Sequence, residues 1–291
     1  MGLKFFQIDV FTNKAFGGNP LAVFPDSEGL AEALHIQIAR EMNLSETVFI
    51  YPANDPEADF KVRIFTPGKE IPFAGHPTLG TAHILWETGK IPREQKSLTL
   101  EMGAGLVKVH KTPDGLFMDQ PDPNFGHEFE SINQIAEALS LVTDQIDSRF
   151  PMQIVSTGFP ALYVPLKTLS AVQNVIPNLS VLKPVLKDVD MIYVFTGETE
   201  YPQSTVHSRS FAPFIGIPED PATGSAAGAL GAYLFRHRVF ENLDPSKIVI
   251  EQGIEMKRPS RILVRVEGAG SEIDSIQVGG QSVTVLQGNL L

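Results

Sequence analysis

The sequence predicts an α+β protein built from two similar domains, and three observations carry that expectation. Short apolar runs with period-2 alternation recur along the whole chain of 291 residues. Helical periodicity is confined to a few segments. Two of those helical segments are unusually rich in small residues and lie about half a chain apart.

The elements follow in order. A strand is expected over residues 5–11, where Phe6, Ile8 and Val10 alternate with Gln7 and Asp9, and another over 22–24. Leu30, Leu34, Ile38 and Met42 recur every fourth residue and predict a helix over 30–42. Strands are expected at 47–51 and 60–65, then a helix at 78–88, then strands at 97–102, 105–110 and 116–119. In the second half, Ile132, Ile135, Ala136 and Leu139 predict a helix over 132–139, followed by strands at 153–155 and 161–166. Weaker helical patterns at 169–175 and 180–187 precede strands at 191–195 and 204–211, and a helix is expected over 222–235. Strands at 248–250, 262–266, 275–278 and 283–286 complete the chain.

The two small-residue helices carry the strongest structural signal. Gly inside a helix costs about 1 kcal/mol relative to Ala, so His76-Pro-Thr-Leu-Gly80 and Ala222-Thr-Gly-Ser-Ala-Ala-Gly228 imply that another backbone or sheet approaches closely. Pro77 and Pro221 introduce them, as suits a first helical turn. Arg63-Ile-Phe65 precedes the first and Arg209-Ser-Phe211 the second, 146 positions apart, while Gly18-Asn19-Pro20 echoes Gly158-Phe159-Pro160 at 140. These echoes predict a duplicated domain. The helices align either at 144, with Gly80 on Gly224, or at 149, with Gly75 on Gly224.

Composition narrows the chemistry. The absence of cysteine excludes disulfide scaffolds, Cys-ligated zinc, iron–sulfur clusters, Cys proteases and two-thiol racemases. A net charge of −11 would repel a phosphate backbone, so no nucleic-acid partner is expected. The longest small-apolar run, residues 226–235, falls short of the roughly 18 residues a membrane span needs. The first residues lack a long apolar signal core, so a cytoplasmic location is the expectation. Gly103-Ala-Gly105 lacks the third glycine of a dinucleotide fingerprint, and no Gly-Lys-Ser/Thr or Gly-x-Ser-x-Gly occurs. No cofactor is therefore expected. His76 and His83 have no third ligand at a recognisable spacing, so no metal is expected either.

Two helix N-termini bearing Gly, Ser and Thr form a natural anion cradle, which points to a small carboxylate substrate. The polar residues at those helix starts are His76 and Asp220, with Glu46 as a third candidate at the start of an otherwise apolar strand. Proton transfer needs such groups together, with the carboxylate tuned by burial. Each also has a plainer reading: Glu46 as an exposed carboxylate at a sheet edge, His76 as a helix-terminal residue, Asp220 as an N-cap.

Several segments resemble one family from end to end: Asp9-Val-Phe-Thr12, Gly17-Gly-Asn-Pro-Leu-Ala-Val23, Asn43-Leu-Ser-Glu-Thr-Val-Phe49, Arg63-Ile-Phe-Thr-Pro67, Glu70-Ile-Pro-Phe-Ala-Gly-His-Pro-Thr78, Gly216-Ile-Pro-Glu-Asp-Pro-Ala-Thr-Gly-Ser225, Glu251-Gln-Gly253 and Val278-Gly-Gly280. Together they resemble the phenazine-biosynthesis PhzF-like family, related in fold to diaminopimelate epimerase. Lys257 departs from it, standing where members often carry Gly.

The resemblance implies two pseudo-symmetric domains, residues 1–117 with 277–291 and residues 118–276, each a curved, mostly antiparallel sheet or open barrel around a central helix. It implies an active site in the cleft between them and a homodimer. It also implies a cofactor-free proton shift, as in the isomerisation of trans-2,3-dihydro-3-hydroxyanthranilate, with the catalytic roles falling on Glu46, His76 and Asp220. Gly75, Gly224 and Ser225 would bind the substrate carboxylate, and Asn19 and Ser45 would line the pocket. The two cysteines of the related epimerases would fall on Ala74 and Thr223, which leaves a one-base racemase as one rival. A non-catalytic binding module on the same fold is the other.

Overall fold

Alternation sets the strands well: those expected in the first half begin within three residues of where the computed structural model places them. The structure describes residues 2–290. The chain forms two compact units, the first holding residues up to Asp119 with those from Gly279 on, the second Gln120–Val278. The α+β class holds in each.

In the first unit, β1 (Leu3–Val10) lies antiparallel to β2 (Asn19–Phe24) and to the C-terminal strand Ser282–Leu290. Beyond α1 (Glu32–Met42), β3 (Glu46–Pro52) runs parallel to β2 and antiparallel to β4 (Phe60–Phe65). β4 takes the short β5 (Glu70–Ile71) antiparallel and, after α2 (Gly75–Glu87), β6 (Ser97–Met102) parallel. Antiparallel β7 (Gly105–Thr112) and β8 (Gly115–Asp119) follow.

The second unit repeats that order of pairings. β9 (Asn124–Phe129), α3 (Ile132–Ala138) and β10 (Met152–Ser156) lead into β11 (Pro160–Pro165), antiparallel to β10. After α4 (Leu169–Gln173) and α5 (Leu179–Val185), β12 (Ile192–Thr196) runs parallel to β11 and antiparallel to β13 (Val206–Ala212). β13 takes β14 (Ile217–Asp220) antiparallel and, after α6 (Gly224–Arg236), β15 (Ile248–Gln252) parallel. β16 (Ser260–Ala269) is antiparallel to β15, and β17 (Glu272–Gly280) follows. Both α2 and α6 have 13 residues and begin at Gly75 and Gly224, so the structure selects the offset of 149 and makes Ala74 and Thr223 equivalent helix caps.

Both of these helices are buried on nearly every side, the state of a helix wrapped by sheet. A Cβ on Gly80 would lie 2.5 Å from Leu21 Cδ2, and one on Gly231 would lie 2.6 Å from Val264 Cγ1. The remaining helices cover outer sheet faces: α1 packs Ile38 and Ala39 on Phe24, Phe49 and Phe65, and α3 to α5 cover Leu162, Val164, Ile192 and Val194. β2, β3, β11 and β12 are thus covered on both faces, which explains their continuous apolar runs. Among the described residues, no helix is long and apolar enough to cross a membrane.

Three strands escape the sequence pattern. β5 has two residues, too few to show a period. β9 is mostly exposed and polar, and it is held by register with β10. β14 contains Pro218 and two acids and reads as a turn, yet Asp220 pairs with Ser210 and Ile217 with Ala212 around a bulge. The starts of the two central helices also move. α2 begins at Gly75, so Pro77 lies in its first turn as expected, but α6 begins at Gly224, which leaves Pro221 outside. Lys257 has a left-handed φ of 59°, the conformation that favours glycine there.

Candidate active site

Glu46 is the first residue of β3, and the parallel register that places it beside Leu21 buries it to 8% exposure. The reading of Glu46 as an exposed edge carboxylate is therefore corrected: β3 is an interior strand, flanked by β2 and β4. Asn43, left-handed at φ 50°, ends α1 and turns the chain into Ser45 and Glu46. Asn19 opens the neighbouring β2 and is fully buried, while Ser45 is half-buried.

His76 is the second residue of α2 and is 5% exposed. Its Nε2 lies 3.3 Å from Glu46 Oε2. Burial holds the His76 imidazole far below its ordinary value, to about 3, so near neutral pH the ring is uncharged. A neutral imidazole beside a buried carboxyl is an arrangement suited to moving a proton. Ala74 caps α2 with extended backbone and supplies no side-chain hydrogen bond, so Gly75 stands at an uncapped helix start.

In the second unit, Asp220 is the last residue of β14 and is 8% exposed. It is not the N-cap of α6, a role held by Thr223. Thr223 in turn does not cap the helix with its hydroxyl, which donates to Asp220 Oδ2 at 2.5 Å. The start of α6, at Gly224 and Ser225, is left without a side-chain cap just as that of α2 is. Glu46 and His76 are therefore brought together within one unit, and Asp220 is brought together with Thr223, Gly224 and Ser225 within the other.

The sequence did not single out Gln252 or Tyr193. Gln252 is fully buried at the end of β15, where its amide meets Asp220 and Thr223, and the Tyr193 hydroxyl donates to its Oε1 at 2.9 Å. Burial pushes the Tyr193 phenol up, so it stays a hydroxyl. A legible signal existed for Gln252: it is a polar residue closing the apolar run Ile248-Val-Ile250. Next to it, Glu251 and Glu255 accept from the two ring nitrogens of buried His207 at 2.8 and 2.9 Å.

Two repeats of one strand order, each around a buried small-residue helix, define the class as an epimerase-like α+β fold. The hydroxyproline epimerase of Agrobacterium vitis shares that fold with a TM-score of 0.64 at 15% identity, over 99% of this chain and 92% of that one. The family model described as phenazine biosynthesis-like protein matches residues 8–288. The chain is 37% identical over 292 residues to the trans-2,3-dihydro-3-hydroxyanthranilate isomerase of Pseudomonas aeruginosa, covering 98% of each. It is 35% identical over 293 residues to antisense-enhancing sequence 1 of Schizosaccharomyces pombe, covering 98% of this chain and 97% of that protein. The crystal structure of the Bacillus anthracis phenazine biosynthesis protein of the PhzF family matches with a TM-score of 0.90 and 30% identity, over 100% of this chain and 99% of that one. The chain belongs to this phenazine biosynthesis-like, PhzF-type family, and its enzymatic class is isomerase.

Proposed function

We propose that the protein is a cofactor-independent isomerase that moves a proton on a small cyclic carboxylate of the dihydro-hydroxyanthranilate type, with Glu46 as the shuttle. The observation that carries this reading is the buried Glu46–His76 pair, 3.3 Å apart with the ring held neutral. As carboxylate, Glu46 takes a proton from a saturated ring carbon, and the C–H electron pair enters the conjugated system. As carboxylic acid, whose proton exchanges with solvent, it delivers a proton to another carbon of that system, so no oxidant or reductant is needed. His76 presents Nε2 to Glu46 at 3.3 Å, and a neutral ring can carry its proton on that nitrogen or on Nδ1, so Nε2 can serve a carboxylate as donor in one tautomer and a carboxylic acid as acceptor in the other.

Asp220 is assigned to orienting the substrate's polar groups. The uncapped helix starts at Gly75, Gly224 and Ser225 are assigned to its carboxylate, since helix N-termini favour anions. Asn19 and Ser45 are assigned to the pocket lining. The relative of Pseudomonas aeruginosa named for isomerising trans-2,3-dihydro-3-hydroxyanthranilate supplies the first compound to try. Incubation in D2O followed by NMR is the test: wild-type protein should place deuterium on ring carbon, and Glu46→Gln should slow this by about 10²-fold or more. Equal deuterium incorporation by the two proteins would remove Glu46 from the role.

A further inference from the structure

We propose that Gln252 is a positioning residue that aims the hydroxyl proton of Thr223 at Asp220. The proposal rests on the assignment of Asp220 to the reaction. The side-chain amide of Gln252 meets two backbone groups whose hydrogen-bonding roles are fixed. The N–H of Thr223 can only donate, and it faces Gln252 Oε1 at 3.2 Å; the carbonyl of Asp220 can only accept, and it faces Gln252 Nε2 at 2.7 Å. The amide is therefore locked in one orientation. The Tyr193 hydroxyl, donating to the same Oε1 at 2.9 Å, agrees with that orientation.

The second Nε2 hydrogen goes to Thr223 Oγ1 at 3.0 Å. A hydroxyl that accepts there has a single proton left to give, and the remaining partner is Asp220 Oδ2 at 2.5 Å. By offering Thr223 Oγ1 a donor rather than an acceptor, Gln252 thus keeps the hydroxyl proton turned toward Asp220 Oδ2. It also ties the end of β14 to the cap of α6, which holds the Asp220 backbone and the carboxylate's donor in one frame.

Replacement by Glu keeps the shape and removes both N–H donors. The Thr223 hydroxyl is then free to turn toward residue 252, and Asp220 Oδ2 loses the hydrogen bond from Thr223. In labelled full-length protein, the Thr223 hydroxyl proton should give a slowly exchanging NMR resonance, buried and hydrogen-bonded as it is; Gln252→Glu should abolish it. Persistence of that resonance in the variant overturns the proposal.

Kinetics on trans-2,3-dihydro-3-hydroxyanthranilate give the second readout. Gln252→Glu and Thr223→Val should each lower kcat by roughly 10- to 100-fold, the weight of one hydrogen bond to a charged group, with little change in KM. The double variant should fall no further than the worse single one, because both remove the same donor. Thr223→Ser, which keeps the hydroxyl, should recover the rate lost in Thr223→Val. Multiplying losses in the double variant would mark Gln252 as merely structural and overturn the proposal. If the wild type fails to turn over the compound, the isomerase reading is in difficulty, while the hydroxyl resonance still decides the role of Gln252.

Discussion

His76 shows how far burial alone changes a residue's chemistry. Its imidazole is driven down to about 3 while a carboxyl oxygen sits 3.3 Å away, so the ring works as a neutral partner rather than a cation. The 15N shifts of His76 should accordingly show no titration between pH 5 and 8, whereas an imidazolium signal at pH 6 would contradict the geometry. Replacement by Asn, which retains a donor and an acceptor, should cost less activity than replacement by Leu. The sequence exposed Glu46 and His76 as candidates because they are polar residues at the starts of apolar elements. It could not show that Glu46 is buried, since that follows from β2 and β4 closing on either side of β3.

At the scale of elements, the echo of Arg63-Ile-Phe65 in Arg209-Ser-Phe211 has a physical reason. Each arginine sits on β4 or β13, grips the acid of the short strand that follows, β5 or β14, in a two-point ion pair with Glu70 or Glu219, and lies over its own Phe ring. This ties down the strand that leads into each central helix. The two clamps differ in burial, with side chains 9% and 18% exposed for Arg209–Glu219 against 21% and 43% for Arg63–Glu70. Arg209 also donates to the carbonyls of Val172, Gln173 and Val175. Urea unfolding should therefore show Arg209→Leu costing about 3–5 kcal/mol, because it strands a half-buried acid and three carbonyls. Arg63→Leu should cost nearer 1 kcal/mol, as its partners reach water. Equal costs would mean that burial does not set the difference.

For the whole molecule, two buried histidines set opposite limits on stability against pH. His76 folds with its proton affinity depressed to about 3, so as pH falls below the ordinary value near 6.5 the unfolded chain gains a proton that the folded one refuses. Stability contributed by the neutral ring is thus lost on the acid side. Burial also opposes charge on His207, but the carboxylates of Glu251 and Glu255 outweigh it and raise the ring to about 9. The folded state then keeps a proton that the unfolded chain releases, so this contribution is complete below 6.5 and fades as pH rises toward 9. Thermal unfolding should accordingly be most resistant near pH 6 to 7. His207→Gln should flatten the alkaline fall and His76→Asn the acid one; if neither slope changes, other groups govern the profile.

The sequence by itself determined the α+β class, the order of most strands, the two small-residue helices and the family, because apolar period, glycine placement and motif blocks are local properties of the chain. It left open whether the repeat register was 144 or 149, whether Asp220 was a plain cap and whether Glu46 was an exposed edge carboxylate or a buried acid. Only the tertiary structure decided these points. Burial, the choice of Thr223 as cap and the lock of Gln252 across β14, α6 and β15 depend on which strands become neighbours, and pairing between residues distant in sequence leaves no local pattern to read.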